Sequence, residues 1–312
     1  MTVQYKPFEE RTPDTQYRDL LRKIKYGGED VMPQQEEGAR MIVGHQWRFP
    51  FANGFPIITE RDLVNPQPGS KRSIFQMAIS ELVAFLNGAR TQDQLTAFGC
   101  PWWKRWLTKE KCEKRGLVPG DNGPGSYGAA WRAFPTAEGE LFDQITHLVE
   151  QTQQLPHLRT HFLTPWVPQY VGRGKKADGT PKVQKVVVAP CHGWVHILLN
   201  PEKKTLVLHH FQRSGDVPVG VAGNLIQYAA LALVWAQILG YIAKELVYTL
   251  SDAHVYDQQW RDVDDMLNTA PQQFPEVTLN PRVVSIFDFK PEDFTITEYH
   301  PQLPPRSIWT PV

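Results

Sequence analysis

The sequence predicts an α/β or α+β domain in which short strand-like runs alternate with amphipathic helices around one long apolar helix. Two patterns carry this expectation. Apolar residues recur at helical spacing in residues 14 to 26 and 73 to 87, while residues 41 to 49 alternate as a strand does. From Leu225 to Ile242 the chain is dominated by Ala, Leu, Ile, Val, Trp and Tyr, interrupted by Gln227 and Gln237. About 18 such residues is the lower limit for a membrane span. No basic cluster flanks them, however, and a helix buried on all sides has the same composition. A central core helix is therefore expected, and no membrane.

The first helix carries Leu20, Leu21 and Ile24 and stops at Gly27-Gly28. After the strand at 41 to 49, Pro56-Ile57-Ile58-Thr59 reads as a second strand. The helix over 73 to 87 presents Ile74, Met77, Ala78, Leu82, Phe85 and Leu86, with Gly88 as its stop signal; Glu81 falls at the margin of that stripe, where a carboxylate usually faces solvent. Residues 98 to 128 are aromatic and irregular, and one of Trp102, Trp103 and Trp106 could stack on a flat heterocycle. A helix over 140 to 154 follows, then strands at 162 to 166 and 186 to 188. The loop Gly172 to Gly179 lacks the Gly-Lys-Ser/Thr ending of a phosphate-binding P-loop and reads as a connection. Residues 195 to 199 and 205 to 211 form a strand pair around Asn200-Pro201-Glu202-Lys203.

With 312 residues, no internal repeat and no evident linker, one domain spanning 1 to 312 is expected. The 33 basic and 33 acidic residues balance, so no global field steers the chain toward DNA or membrane, and any phosphate must be held by a few placed cations. Three cysteines without regular spacing argue against a disulfide framework, and the N-terminus lacks the apolar core of a signal peptide; both point to the cytoplasm. No metal-binding pattern is read.

Cys191, in Ala189-Pro190-Cys191-His192-Gly193, follows an apolar run and precedes Gln212-Arg213-Ser214-Gly215-Asp216-Val217 and then Asn224. A lone thiol near an arginine, a serine and an aspartate suggests a nucleophile facing an anion site, since a nearby guanidinium favours thiolate. A buried core cysteine is the bland alternative.

Further blocks give the pattern its specificity: Gly44-His45-Gln46 with Arg48-Phe49, Gly54-Phe55-Pro56-Ile57-Ile58-Thr59, Glu81-Leu82 with Phe85-Leu86-Asn87-Gly88, Tyr127-Gly128 with Trp131-Arg132, and Asp252-Ala253-His254-Val255-Tyr256. With Pro190-Cys191-His192, Gln212-Arg213-Ser214 and Asn224 with Tyr228-Ala229, in this order, the chain resembles the thymidylate synthase family. The resemblance implies a central mixed sheet with a long buried helix, and a homodimer packed sheet to sheet. It implies that the Cys191 thiolate adds to C6 of a pyrimidine nucleoside monophosphate, whose C5 then receives a one-carbon unit from 5,10-methylenetetrahydrofolate. The catalytic set it implies is Cys191, Glu81, Tyr127, Asn224 and His192. Arg213 and Ser214 would hold the phosphate, with Arg213 also keeping Cys191 ionised. Arg159 would reach the partner's phosphate site, and His254 and Tyr256 would bind the ribose. Asn224 would read the N3/C4 edge of the base, near Glu81. Asp216, Trp103 and Glu81 would contact the folate.

Departures from the family pattern suggest a sister reaction. Gln34 stands near the position of a phosphate arginine, Thr160 replaces the second of two paired arginines, and His196 stands where a glutamine is usual. Gly193, Gly215 and Gly223 replace larger residues, which reads as added space for water. Water addition would end the reaction in a 5-hydroxymethyl base rather than reductive methylation. A catalytically silent nucleotide- or RNA-binding homologue is the third reading. The Asn224 amide matches uracil, but rotated it would suit cytosine.

Overall fold

In the computed structural model, residues 2–33 and 37–311 are described. The chain begins with α1 (Gln16–Gly27), which buries Leu20, Leu21 and Ile24 as the spacing predicts. The strands β1 (Glu29–Val31) and β2 (Ala39–Pro50) follow. Helix α2 (Ile74–Leu86) starts at a capping box in which Ser73 and Gln76 satisfy each other's backbone N–H groups, an arrangement worth about 1 kcal/mol. Three short helices lie over the aromatic interval: α3 (Gln92–Ala97), α4 (Lys109–Glu113) and α5 (Tyr127–Arg132). A small pair, β3 (Phe134–Pro135) and β4 (Leu141–Phe142), precedes α6 (Gln144–Gln154), whose N-terminus is capped by Asp143. Then come β5 (Phe162–Leu163), α7 (Pro168–Val171), β6 (Trp194–Asn200) and β7 (Thr205–Asp216). The long helix α8 (Ala222–Leu239) leads into β8 (Ile242–Tyr256), and α9 (Trp260–Leu267), β9 (Glu276–Leu279) and β10 (Phe294–Thr297) close the chain.

Six strands form one mixed sheet in the order β1-β2-β8-β7-β6-β5. All neighbours are antiparallel except β7 and β8, which run parallel because α8 carries the chain back across the sheet between them. Every residue from Ala222 to Ala236 is buried, so the apolar segment is the core of the fold, as expected. The inner sheet face, with Val195, Ile197, Leu206, Leu208 and Leu250, belongs to the same buried cluster. On the outer face Phe162, Leu198 and Phe211 are 53%, 37% and 37% exposed.

Several local expectations give way. Pro56 to Thr59 and Val186 to Val188 are not strands but connecting chain, buried except for the half-buried Val188, a composition that packing uses as readily as a ladder does. The helix expected over 140 to 154 starts at Gln144, since Leu141–Phe142 pair with Phe134–Pro135. The 162 to 166 strand stops at Leu163. The long helix ends at Leu239, with Gly240 in the left-handed conformation at φ 67°, and β8 starts at Ile242, inside the segment read as helix.

Candidate active site

Cys191 sits in the turn that enters β6, and β7 holds that turn from beside it. The Arg213 N–H donates to the Cys191 carbonyl at 2.8 Å. Its guanidinium donates through Nε to Pro190 O at 2.7 Å and through Nη2 to Ala189 O and to Cys191 Sγ, both at 3.3 Å. Trp166 lies against the guanidinium, 5.5 Å from its centre. Tyr127, at the start of α5, accepts the Cys191 N–H at 2.8 Å and stacks on Phe85. Burial pushes the Cys191 thiol pKa above its ordinary value; Arg213 and Tyr127 pull it down without reversing that. The guanidinium thus acts in the expected direction, favouring the thiolate against desolvation of the sulfur.

Behind the thiol His192 is buried, its Nδ1 2.5 Å from the Tyr228 hydroxyl. Burial and the Arg213 charge lower its pKa to about 3, so it is neutral near pH 7, a hydrogen-bonding wall group rather than a proton carrier. The adjacent Gly193 donates its N–H to His210 Nε2 at 3.1 Å.

A line of buried amides forms one wall beside Cys191, and its polarity is fixed at one end. Gln227 Nε2 donates to the Ala78 carbonyl at 3.3 Å and to Glu81 Oε2 at 2.6 Å. A backbone carbonyl only accepts, so Gln227 must turn Oε1 toward Asn224, whose Nδ2 donates to it at 2.9 Å. Asn224 Oδ1 then accepts from Gln212 Nε2 at 3.1 Å, and Gln212 Oε1 accepts from the Tyr248 hydroxyl. The amide of Asn224 is therefore not free to rotate, which corrects the expectation that it could turn to suit either base. Glu81 ends the line. Its Oε1 accepts from the Trp102 indole at 2.7 Å and from the Trp103 indole, with the Cys100 thiol 3.7 Å away. It is 5% exposed, against the expectation of a solvent-facing carboxylate, and burial raises its pKa despite those donors. Gln227 was visible in the sequence only as a polar interruption three residues after Asn224. Trp102 carried no signal distinguishing it from its aromatic neighbours.

The parallel register of β7 and β8 sets Ser214 opposite Asp252 and Asp216 opposite His254. The Ser214 hydroxyl donates to Asp252 Oδ2 at 2.7 Å, and His254 Nδ1 lies 3.0 Å from Asp252 Oδ1. Burial would raise the Asp252 pKa, but His254, Ser214 and Arg213 together hold it below its usual value. Asp216 accepts from Gln259, from the Thr310 hydroxyl at 2.7 Å and from the Val219 N–H at 3.3 Å. Burial raises its pKa. Arg159 is exposed and lines neither cavity beside Cys191; its carbonyl is 3.0 Å from His196 Nε2. Gln34 lies outside the described residues.

These groups converge on a cavity of about 420 Å³ lined by Cys191, His192, Tyr127, Glu81, Asn224, Ser214, Asp216, His254 and Tyr256, with Trp102, Trp103 and Trp106 on one wall. Of the three glycines read as added space, only Gly223 provides it. A Cβ there would meet nothing within 4 Å, whereas one on Gly215 would lie 2.6 Å from Val221 Cγ2 and 2.9 Å from Leu250 Cδ2. One on Gly193, at φ +104°, would meet Trp131, Pro165 and Tyr228 at 3.2 to 3.3 Å. Gly193 and Gly215 are therefore packing and backbone requirements. A family model described as thymidylate synthase matches residues 15–308 of this chain.

Proposed function

The chain belongs to the thymidylate synthase family, and on that premise we propose that it hydroxymethylates C5 of a uridine nucleotide through a Cys191–C6 adduct. Membership supports folate-dependent one-carbon transfer to a pyrimidine. The choice of base rests on the locked amide line, and the choice of hydroxymethylation on the open wall at Gly223.

Glu81 is the group that the family pattern sets near C4. Asn224 turns its Nδ2 toward the Gln227–Glu81 side, so it offers the C4 substituent a donor, which suits O4 of uracil and repels the amino group of cytosine. Its Oδ1, which accepts from Gln212 with one lone pair, has the second to accept from N3–H. Cys191 Sγ adds to C6 as the thiolate, beside the Arg213 guanidinium. Negative charge that develops on O4 meets the Asn224 amide, and C5 becomes the carbon nucleophile. 5,10-methylenetetrahydrofolate, when bound, supplies the one-carbon unit as an electrophile. The tryptophan wall, with Asp216 nearby in the same cavity, fits a flat heterocycle that needs both an aromatic face and a hydrogen-bonding carboxylate. Tyr127, its pKa raised by burial, stands beside Cys191 to assist proton loss from C5. As C5 loses its proton the exocyclic carbon would part from the folate nitrogen, which leaves as tetrahydrofolate. Water then adds to that carbon, and cleavage of the C6–S bond restores the C5–C6 double bond and frees Cys191. His254 and Tyr256 face the ribose, and Arg213 faces the phosphate. A homodimer formed through the exposed outer sheet face would bring Arg159 to the partner's site.

The test is direct. Purified protein given uridine and cytidine nucleotides with 5,10-methylenetetrahydrofolate is expected to yield a 5-hydroxymethyl uracil nucleotide without the absorbance rise of dihydrofolate. A 5-methyl nucleotide formed together with dihydrofolate would instead establish reductive methylation. Absence of any adduct with a 5-fluoropyrimidine nucleotide plus folate would establish a silent binder.

A further inference from the structure

A second cleft, of about 840 Å³, meets the first at Cys191, Ser214 and Val188 and opens on the side of Arg213. Among the described residues its charged lining is five cations, Lys111, Lys114, Arg115, Arg173 and Arg213, against one carboxylate, Glu110. In a chain whose charges balance overall, that concentration is local and predominantly positive. Besides Arg213 on β7, two segments supply it: α4 with the turn after it, and the loop after α7 that the sequence suggested was a mere connection. Among the described residues, Lys111, Lys114 and Arg115 have no carboxylate partner within 4.0 Å. The Arg115 Nε is buried without a hydrogen-bond partner, while its Nη1 donates to the Lys111 carbonyl at 2.6 Å. Burial and then the like charge of Arg173 lower the Arg115 pKa.

We infer that this cleft is a polyphosphate subsite, so that the nucleotide bound beside Cys191 carries a chain of phosphates rather than one. The inference rests on the nucleotide reading above and extends it. A single phosphate carries a charge of about −2 near neutral pH, which Arg213 with one further cation would meet. The four additional cations lie beyond Arg213 and Ser214, in a space larger than one phosphate fills. The first phosphate would sit at Arg213, and the second and third would run toward Arg115, Arg173, Lys111 and Lys114. Arginine forks and lysine ammonium groups suit such an anion, and their effect should weaken with salt.

The experiment measures binding by the wild-type protein, without folate, of uridine mono-, di- and triphosphate and of inorganic tripolyphosphate. The triphosphate is expected to bind about tenfold or more tighter than the monophosphate, with a gain that shrinks as salt rises. In a Lys111→Glu/Lys114→Glu variant, and more mildly in Lys111→Gln/Lys114→Gln, the triphosphate-to-monophosphate ratio should collapse toward one. Equal affinity for all three nucleotides, or a ratio unchanged by charge reversal, would overturn the inference. Tripolyphosphate carries no base and reads the cleft alone. If it binds wild type but not the charge-reversed variant while no nucleotide binds, the subsite stands and the nucleotide reading fails.

Discussion

Asn224 illustrates how one side chain's chemistry is decided by its neighbours' neighbours. Its amide can face the cavity in one orientation only because Gln227 is pinned by the Ala78 carbonyl two links away. Asn224→Asp removes the donor to O4 and offers an acceptor to a cytosine amino group. A mispaired buried polar group costs about 1–3 kcal/mol, so relative kcat/KM should move toward cytidine nucleotides by roughly ten- to a hundred-fold. Gln227→Leu tests the pinning itself. With the anchor gone Asn224 can turn, and discrimination between the bases should fall toward parity while Cys191 still forms its adduct; retained discrimination would assign the choice to another residue. Cys191→Ser should abolish turnover and leave nucleotide binding largely intact, because a hydroxyl is a far poorer nucleophile near pH 7. Measurable wild-type rates in that variant would remove Cys191 from the chemistry.

At the scale of elements, the β7–α8–β8 crossover assembles most of the cavity, since its two parallel strands bring Ser214, Asp216, Asp252 and His254 together and α8 carries Asn224 and Gln227. Two glycines on this unit should behave oppositely. Gly215→Ala drives a methyl group against Val221 and Leu250, and should cost about 1–3 kcal/mol in urea unfolding. Gly223→Ala meets nothing and lies in a helix, so it should raise stability by about 0.5–1 kcal/mol. If its open wall admits the water that attacks the exocyclic carbon, the same substitution should lower the yield of hydroxymethyl product. An unchanged yield would detach Gly223 from the outcome of the reaction.

At the scale of the whole molecule, the buried histidines tie stability to pH. His210 is fully buried and held well below its ordinary pKa by burial, then by the nearby histidines. Its folded pKa is depressed, so below about 6.5 the unfolded chain takes up a proton that the folded chain refuses, and stability is lost as pH falls. His210→Gln should be less stable than wild type at pH 7, since it breaks up the stack on Tyr228. The gap should narrow toward pH 5, by up to about 1.4 kcal/mol per pH unit. A gap that widens would reverse the sign and refute the assignment. The proposed assembly is also testable by mixing inactive Cys191→Ser with inactive Arg159→Ala chains. Partial recovery of activity is expected, because some mixed dimers hold one intact site; a monomer in sedimentation would rule the shared site out.

Spacing alone determined the mixed α/β class and the buried central helix; the ordered motifs carried the family resemblance, and that resemblance implied a shared site for Cys191, Arg213, Asn224, Glu81, His254 and Tyr256. Those features are local, or are written as an ordered set of residue types. The tertiary structure decided what depends on distance between remote segments. Ala78 fixes Gln227 from another helix, Val221 and Leu250 fill the space beside Gly215, and α4 meets the loop after α7 to make one cationic cleft. A sequence records which groups are present, but hydrogen-bond polarity, free volume and net burial are set by which groups the fold makes neighbours.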